Sequence, residues 1–201
     1  MIEQIVNKLA SRPTNNLSVN NFYRGNDKES QNRLNNIAKY LAFYENNPPK
    51  YILIGEAPGY KGCAKSGIPF TSLHIISSLD FLNKTTQLLG GKEKERTSTI
   101  VWDLIGQIAE PPMLWNAFPF HPHKNNSPKS NRKPNIKEIQ EGLEYIKKLI
   151  KIFPNAKLIA VGNVAYESLI KFDLPVDSKV RHPSFGGKAA FNEQITKILT
   201  K

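Results

Sequence analysis

The chain has 201 residues, of which 28 are Lys or Arg and 17 are Asp or Glu, so its formal net charge is +11, and 39% of its residues are hydrophobic. This length suits one globular domain, and the apolar fraction excludes global disorder. No apolar run reaches the roughly 20 residues that span a bilayer, and the N-terminus lacks the pattern of a secretory signal. We therefore expect a cytoplasmic, monomeric protein with no membrane partner.

The positive charge favours a polyanionic partner, of which nucleic acid is the commonest. The alternative is a soluble basic protein whose lysines form solvated helix faces. Cys63 is the one cysteine, which excludes an internal disulfide and a cysteine-ligated zinc or iron–sulfur cluster. His121 and His123 have a spacing that can bind metal, but no third ligand is evident. We expect no metal site and no cofactor.

The N-terminal quarter predicts two helices. Apolar residues at helical spacing run from Ile2 to about Arg12 and again from Asp27 to about Asn46. Pro48-Pro49 end the second helix, and the apolar run Tyr51–Ile54 predicts a buried strand.

The middle of the chain predicts two further helices and a strand. Gly59–Pro69 reads as a loop, and Thr71 is a plausible N-cap for a helix through Ile75, Ile76 and Leu79. After a turn at 90–96, a helix is expected from Thr97 to about Ala109, and a strand over Met113–Asn116.

The longest irregular segment is Ala117–Asn135, which is basic and rich in Pro, Ser and Asn. A loop this long is usually functional or disordered, so it is either a flank that contacts phosphate or a solvated loop. The elements that follow are a helix capped by Asn135 and ending near Pro154, a strand over Lys157–Val161, a helix over Asn163–Phe172, a short strand leading to Arg181, and a helix from Phe191 to about Leu199.

The alternation of strands and helices predicts a three-layer α/β/α fold with a mostly parallel central sheet of about four strands. No repeat or linker divides the chain, so we expect one domain over residues 1–201.

Two short motifs follow predicted strands. Gly55-Glu56-Ala57-Pro58-Gly59 comes directly after the first strand, and Arg181-His182-Pro183-Ser184-Phe185-Gly186-Gly187 after the last. Open α/β folds bind ligands at the carboxyl ends of their strands, so both motifs are candidates for one site.

Three features in order resemble those of the uracil-DNA glycosylase superfamily. They are Gly55–Gly59 with its extension Gly67-Ile68-Pro69-Phe70, Asn116 at the end of a middle strand, and His182-Pro183-Ser184. The resemblance covers about Tyr51 to the C-terminus and leaves the first fifty residues outside. It implies a DNA-repair enzyme that hydrolyses the N-glycosidic bond of uracil flipped out of DNA and leaves an abasic site.

The resemblance implies a role for each candidate residue. Phe70 would stack on the flipped base, Asn116 would pair with its edge, and His182 would donate to uracil O2. Glu56 would orient or deprotonate the attacking water, or stabilise the cationic sugar. The base site would also include Gly55, Ala57, Pro58 and Gly59. The simpler alternatives are a core phenylalanine, a turn asparagine, a histidine packed on proline, and a carboxylate that caps a turn or pairs with lysine.

The second motif also implies contacts to DNA. Phe185 would be an apolar wedge that fills the gap left by the flipped nucleotide, or else it would close the core over the last helix. The expected phosphate contacts are Ser184, Gly186, Gly187 and Lys188, together with Lys61 and Lys65 beside the first motif.

Two positions depart from the best-known branch of the superfamily. Ala57 replaces an aspartate that positions water, and Gly59 replaces a tyrosine that excludes the methyl group of thymine. The Gly-Glu-Ala-Pro-Gly form looks more like the thermophile-type branch, but the four cysteines that bind the iron–sulfur cluster in that branch are absent from this sequence.

Three alternative functions therefore remain open. They are a mismatch-type glycosylase acting on thymine, xanthine or hypoxanthine, a catalytically silent DNA-binding module, and a nucleotide-binding protein with a small-molecule substrate.

Overall fold

A central sheet of four parallel strands organises the fold. The computed structural model describes residues 1–14, 17–78 and 89–200. In chain order its elements are α1 (Ile2–Ser11), β1 (Val19–Asn20), α2 (Lys28–Asn46), β2 (Tyr51–Gly55), α3 (Cys63–Ser66), α4 (Leu73–Ser78), α5 (Arg96–Ile105), β3 (Met113–Asn116), β4 (His121–Pro122), α6 (Ile136–Ile152), β5 (Lys157–Val161), α7 (Asn163–Lys171), β6 (Val176–Val180) and α8 (Lys188–Leu199).

The strand order is β3-β2-β5-β6, and every neighbouring pair is parallel. The mostly parallel, helix-flanked sheet predicted from the sequence is confirmed. All five residues of β2 are buried, as expected for a strand covered on both faces. Because the strands are parallel, all four carboxyl ends meet at one edge of the sheet.

The first fifty residues pack onto this core. Ile5 and Leu9 of α1 are fully buried, and α1 contacts both α2 and α6. The Asn21 amide closes the turn after α1 by donating to the carbonyl oxygen of Leu9 at 2.8 Å. The Tyr23 hydroxyl donates to the carbonyl oxygen of Gly67 at 2.7 Å, which ties this segment to the loop ahead of Phe70.

Several elements differ from the sequence prediction. The segment 117–135, expected to be irregular, contains β4, which pairs antiparallel with β1. The loop 59–69 contains α3. Two-residue strands and one-turn helices depend on contacts from distant parts of the chain, so no local periodicity reveals them.

Three helix boundaries also differ. Helix α5 begins at Arg96 and ends at Ile105, and α8 begins at Lys188. The N-cap prediction at Thr71 was wrong: the Ser72 hydroxyl accepts the N–H of Ile75 at 3.4 Å. The predicted end of that helix at Leu79 lies outside the described residues. Within the described ranges no helix is long and apolar enough to cross a membrane.

Gly142 lets α6 lie directly against the backbone that follows β3. A Cβ at this position would collide with the carbonyl oxygen of Ala117 and lie 2.9 Å from the Cα of Phe118. That backbone extends the sheet, because the Ala117 and Phe118 N–H groups donate to the carbonyl oxygens of Gly55 and Glu56 at 2.7 and 3.0 Å. The close approach of α6 therefore supports the edge where the motifs lie.

We expect Gly142→Ala to lower the free energy of unfolding by about 1–3 kcal/mol, because overpacking outweighs the gain in helix propensity. Denaturant unfolding measures this value. The control is Gln140→Ala on the exposed side of α6, which is expected to change stability by less than about 0.5 kcal/mol. An unchanged or increased stability for Gly142→Ala would contradict the predicted close packing.

Candidate active site

A cavity of about 590 Å³ opens at the carboxyl edge of the sheet. Four of its lining residues are ones for which the sequence predicts a chemical role: Glu56 after β2, Phe70 before α4, Asn116 at the end of β3, and His182 after β6. Glu56 and Phe70 both lie in the connection that follows β2, whereas Asn116 and His182 lie at the carboxyl ends of β3 and β6. The parallel sheet brings them together because these three strands end at the same edge.

Gly55, which the motif predicts as part of the base site, does not line the cavity itself but lies directly behind the Phe70 ring and the Asn116 amide, which do. It pairs with Asn116 in the parallel register of β2 and β3. A Cβ on Gly55 would lie 2.6 Å from Cε2 of Phe70 and 2.8 Å from Oδ1 of Asn116. Glycine is thus required here for the ring and the amide to approach the backbone.

Phe70 has an unusual backbone conformation, and Asn116 is an unusually buried polar residue. Phe70 has φ of 54°, a left-handed conformation that is costly for a non-glycine residue and is typical of functional sites. Asn116 is only 3% exposed, yet its side chain lines the cavity. The ring of Phe70 lies 6.1 Å from that of His182, centroid to centroid.

His182 is oriented by Ser184. The Ser184 backbone N–H donates to Nδ1 of His182 at 3.2 Å, and the Ser184 hydroxyl lies 2.7 Å from the same nitrogen. Because a backbone N–H only donates, Nδ1 must accept, and the proton of the neutral ring is on Nε2. Burial lowers the pKa of His182, Arg181 lowers it further, and Glu95 opposes both. A neutral ring with an Nε2–H donor follows.

Glu56 is the available carboxylate of the cavity. Burial raises the pKa of Glu56, while the positive charge of Lys133 partly lowers it. Its carboxylate makes no hydrogen bond with the part of the chain that the structure describes. The other lining carboxylate, Glu95, caps α5 by accepting from the N–H groups of Thr97 and Ser98 at 2.8 and 2.7 Å.

The loop after His182 projects an aromatic ring into solvent at the mouth of the cavity. Phe185 is 96% exposed and has φ of 51°, so it does not close the core over α8. Gly186 follows in the left-handed region at φ of 77°. The Gly187 N–H donates to the Ser184 carbonyl oxygen at 3.1 Å, so this amide is not free for a phosphate in the present conformation.

The predicted basic contacts divide into two groups. Lys61 and Lys188 line the cavity, and the Lys61 ammonium lies over the Tyr60 ring at 5.6 Å from its centroid. Lys65 is exposed on α3 and does not line the cavity. Ala57, Pro58 and Gly59, which the motif predicts as part of the base site, all line the cavity.

The segment 124–133 is held against the first motif. The His121 ring lies between two carbonyl oxygens, with Nδ1 2.7 Å from Pro58 and Nε2 3.1 Å from Pro128. Arg132 forms a two-pronged ion pair with Glu138, with both nitrogen–oxygen distances at 2.7 Å. Both ring nitrogens of His121 are thus engaged. Within the described ranges, no three His, Cys, Asp or Glu side chains are grouped to hold a metal ion.

Sequence reasoning missed several residues of the cavity wall: Tyr60, Glu95, Arg96, Thr97 and Asn131. Glu95 and Arg96 lie in a charged run that the sequence predicts to be a turn, and Asn131 lies in a segment that it predicts to be irregular. The one local signal was the run Glu95-Arg96-Thr97-Ser98, whose acidic and hydroxyl residues suit a helix start. Asn131 carried no such signal.

The model of the Uracil DNA glycosylase superfamily matches residues 42–199, and the chain belongs to this superfamily. A structural relative is the crystal structure of wild-type Pedobacter heparinus SMUG2, with a TM-score of 0.69 and 15% identity, over 99% of this chain and 96% of that one. This likeness independently supports the fold. No curated protein matches the chain.

The raised pKa of Glu56 predicts a pH-dependent cost in stability. The folded chain holds this proton more tightly than the unfolded chain, so stability falls as pH rises from the ordinary glutamate pKa through the raised value. We expect Glu56→Gln to be more stable than the wild type above this window, and the difference to vanish below it. Melting temperatures between about pH 4 and pH 8 measure the effect. The exposed Glu110→Gln is the control, and equal pH dependence for the two variants would contradict the prediction.

Proposed function

We propose that this protein is a DNA-repair glycosylase that hydrolyses the N-glycosidic bond of uracil flipped out of DNA. One observation carries the proposal: Glu56, Phe70, Asn116 and His182 line a single cavity, at the mouth of which the Phe185 ring is exposed. Membership of the superfamily makes DNA the expected partner. The cavity volume falls within the range of small-molecule sites, so one extruded nucleotide fits.

The base would be held on three sides. Phe70 offers an aromatic face for stacking. The Asn116 amide offers one donor and one acceptor, which complement O4 and N3–H of uracil. The Nε2–H of neutral His182 is a donor for O2, which gains negative charge as the bond to the sugar breaks.

The reaction would proceed through a cationic sugar. Cleavage of the bond between C1′ and N1 leaves the electron pair on uracil and positive charge on the deoxyribose. His182 stabilises the anion. The Glu56 carboxylate faces the cation and accepts a proton from the water that adds to C1′, which leaves an abasic site and free uracil after proton return.

The pKa shift of His182 favours its proposed role, whereas that of Glu56 opposes the ionised form that its role requires. Glu56 must be ionised to stabilise the cation or to accept a proton, and Lys133 favours that form against the larger effect of burial. Burial lowers the pKa of His182 and so favours its neutral form, which adds no positive charge beside the cationic sugar. Glu56 therefore supplies the carboxylate function although Ala57 has none. This availability favours an active enzyme over a silent binding module.

The decisive test is excision of a single uracil, placed opposite guanine in a labelled oligonucleotide and detected as strand cleavage after alkali. We expect the wild type to cleave, and Glu56→Gln and His182→Ala each to lose about 10²–10³-fold in single-turnover rate. Glu110→Gln and His74→Ala, neither of which lies at the cavity, are matched controls expected to retain full activity.

Absence of excision by folded wild type would overturn the proposal. Tight, salt-sensitive binding to uracil-containing or abasic DNA without turnover would then support the silent module. Wild-type excision that survives both site variants would contradict the roles of Glu56 and His182.

The exposed ring of Phe185 is expected to matter for excision from duplex DNA but not from single strands. Phe185→Ala should lower uracil excision from duplex DNA by about tenfold or more, because the wedge offsets the cost of unstacking. Excision from single-stranded DNA should change much less, since no duplex has to be opened. The control is Ile170→Ala, which removes another exposed apolar side chain that does not line the cavity. An equal loss on both substrates would argue against a wedge role.

A further inference from the structure

Gly59 leaves one wall of the cavity open, and Asn131 lies across from the opening. A Cβ on Gly59 would be 3.9 Å from both Nδ2 and Oδ1 of Asn131, and among the described residues no other atom outside the chain neighbours of Gly59 lies within 4 Å of that point. Asn131 also lines the cavity. Any group that the flipped base carried beside Gly59 would therefore touch the Asn131 amide.

The orientation of this amide is fixed by its hydrogen bond. The backbone N–H of Tyr60 donates to Oδ1 of Asn131 at 3.3 Å. A backbone N–H cannot accept, so the atom facing it must be the oxygen. The NH₂ group is left beside the open wall, with no hydrogen-bond partner in the part of the chain that the structure describes.

The segment that carries Asn131 is held on both sides. The His121 ring lies 3.1 Å from the Pro128 carbonyl oxygen, three residues before Asn131. Arg132, the next residue, pairs with Glu138 and donates to the Ser18 carbonyl oxygen at 3.0 Å. The amide is thus a positioned donor and not a side chain on a loose loop.

The edge of the base that meets Asn131 follows by elimination, and this step rests on the proposed function. In the proposed complex, O2 of uracil accepts from His182, and N3–H and O4 pair with Asn116. N1 is bonded to the sugar, so these four positions are already occupied. The remaining C5–C6 edge is left for the wall formed by Gly59 and Asn131.

We propose that Asn131 is a specificity-determining residue that selects uracil over thymine. Uracil carries only a hydrogen at C5, so the exposed amide N–H beside it keeps its contact with water. The methyl group of thymine would cover that N–H and offer no acceptor in exchange. An unpaired donor is costly, so the selection is polar and does not need a bulky side chain at Gly59.

The test compares single-turnover excision of uracil and of thymine, each opposite guanine in the same sequence. We expect Asn131→Ala to lower the uracil-to-thymine rate ratio by about tenfold, mainly by raising the thymine rate. Asn131→Asp can still accept from Tyr60 but has no donor, and its ratio should fall in the same direction. The control, Asn125→Ala, lies on the same segment away from the cavity and should leave the ratio unchanged.

The ratio separates specificity from folding and from DNA affinity, because both affect the two substrates alike. If the wild type excises uracil and neither variant lowers the ratio, the inference is overturned and the proposed function stands. A thymine rate that stays undetectable in both variants counts against it in the same way. If folded wild type does not excise uracil, the proposed function fails and the inference falls with it.

Discussion

The close approach at Gly55 is the constraint on which the site depends. Gly55 pairs with Asn116 in the sheet, and its missing Cβ leaves the space occupied by the Phe70 ring and the Asn116 amide. The ladder continues past the two strands, through the bonds from Ala117 and Phe118 to Gly55 and Glu56. The backbone positions of Phe70, Asn116 and Glu56 therefore depend on a single junction between β2 and β3.

Burial then sets the electrostatics of the two ionisable groups. It raises the pKa of Glu56 and lowers that of His182, because in each case the low-dielectric wall disfavours the charged form. For His182 the outcome suits a neutral hydrogen-bond donor. For Glu56 burial opposes the ionised form, and Lys133 partly compensates. The charged carboxylate is thus maintained at a cost in stability, as is common for catalytic groups.

Two loops at the cavity mouth, the one after β6 and the segment 124–133, differ in what they present to the cavity and in how they are held. The loop after β6 holds Phe185 in an exposed, left-handed conformation, while the Gly187 amide and the Ser184 carbonyl close the loop behind it. The segment 124–133 is fastened to the first motif by His121 and by Asn131. One loop presents an apolar group and the other a polar wall, and the proposed function assigns them different roles, opening of the duplex and reading of the base.

The sequence by itself determined the four strands of the central sheet, their parallel arrangement and the residues that carry the proposed chemistry. Runs such as Tyr51–Ile54 and strand ends such as Glu56 and Asn116 are local patterns, and parallel connectivity places strand ends at one edge. Only the tertiary structure decided what faces those residues. The exposure of Phe185 and the place of Asn131 depend on how segments far apart in the chain pack together, about which local periodicity contains no information. The tautomer of His182 depends on a local contact with Ser184, whose geometry the residue types alone do not reveal.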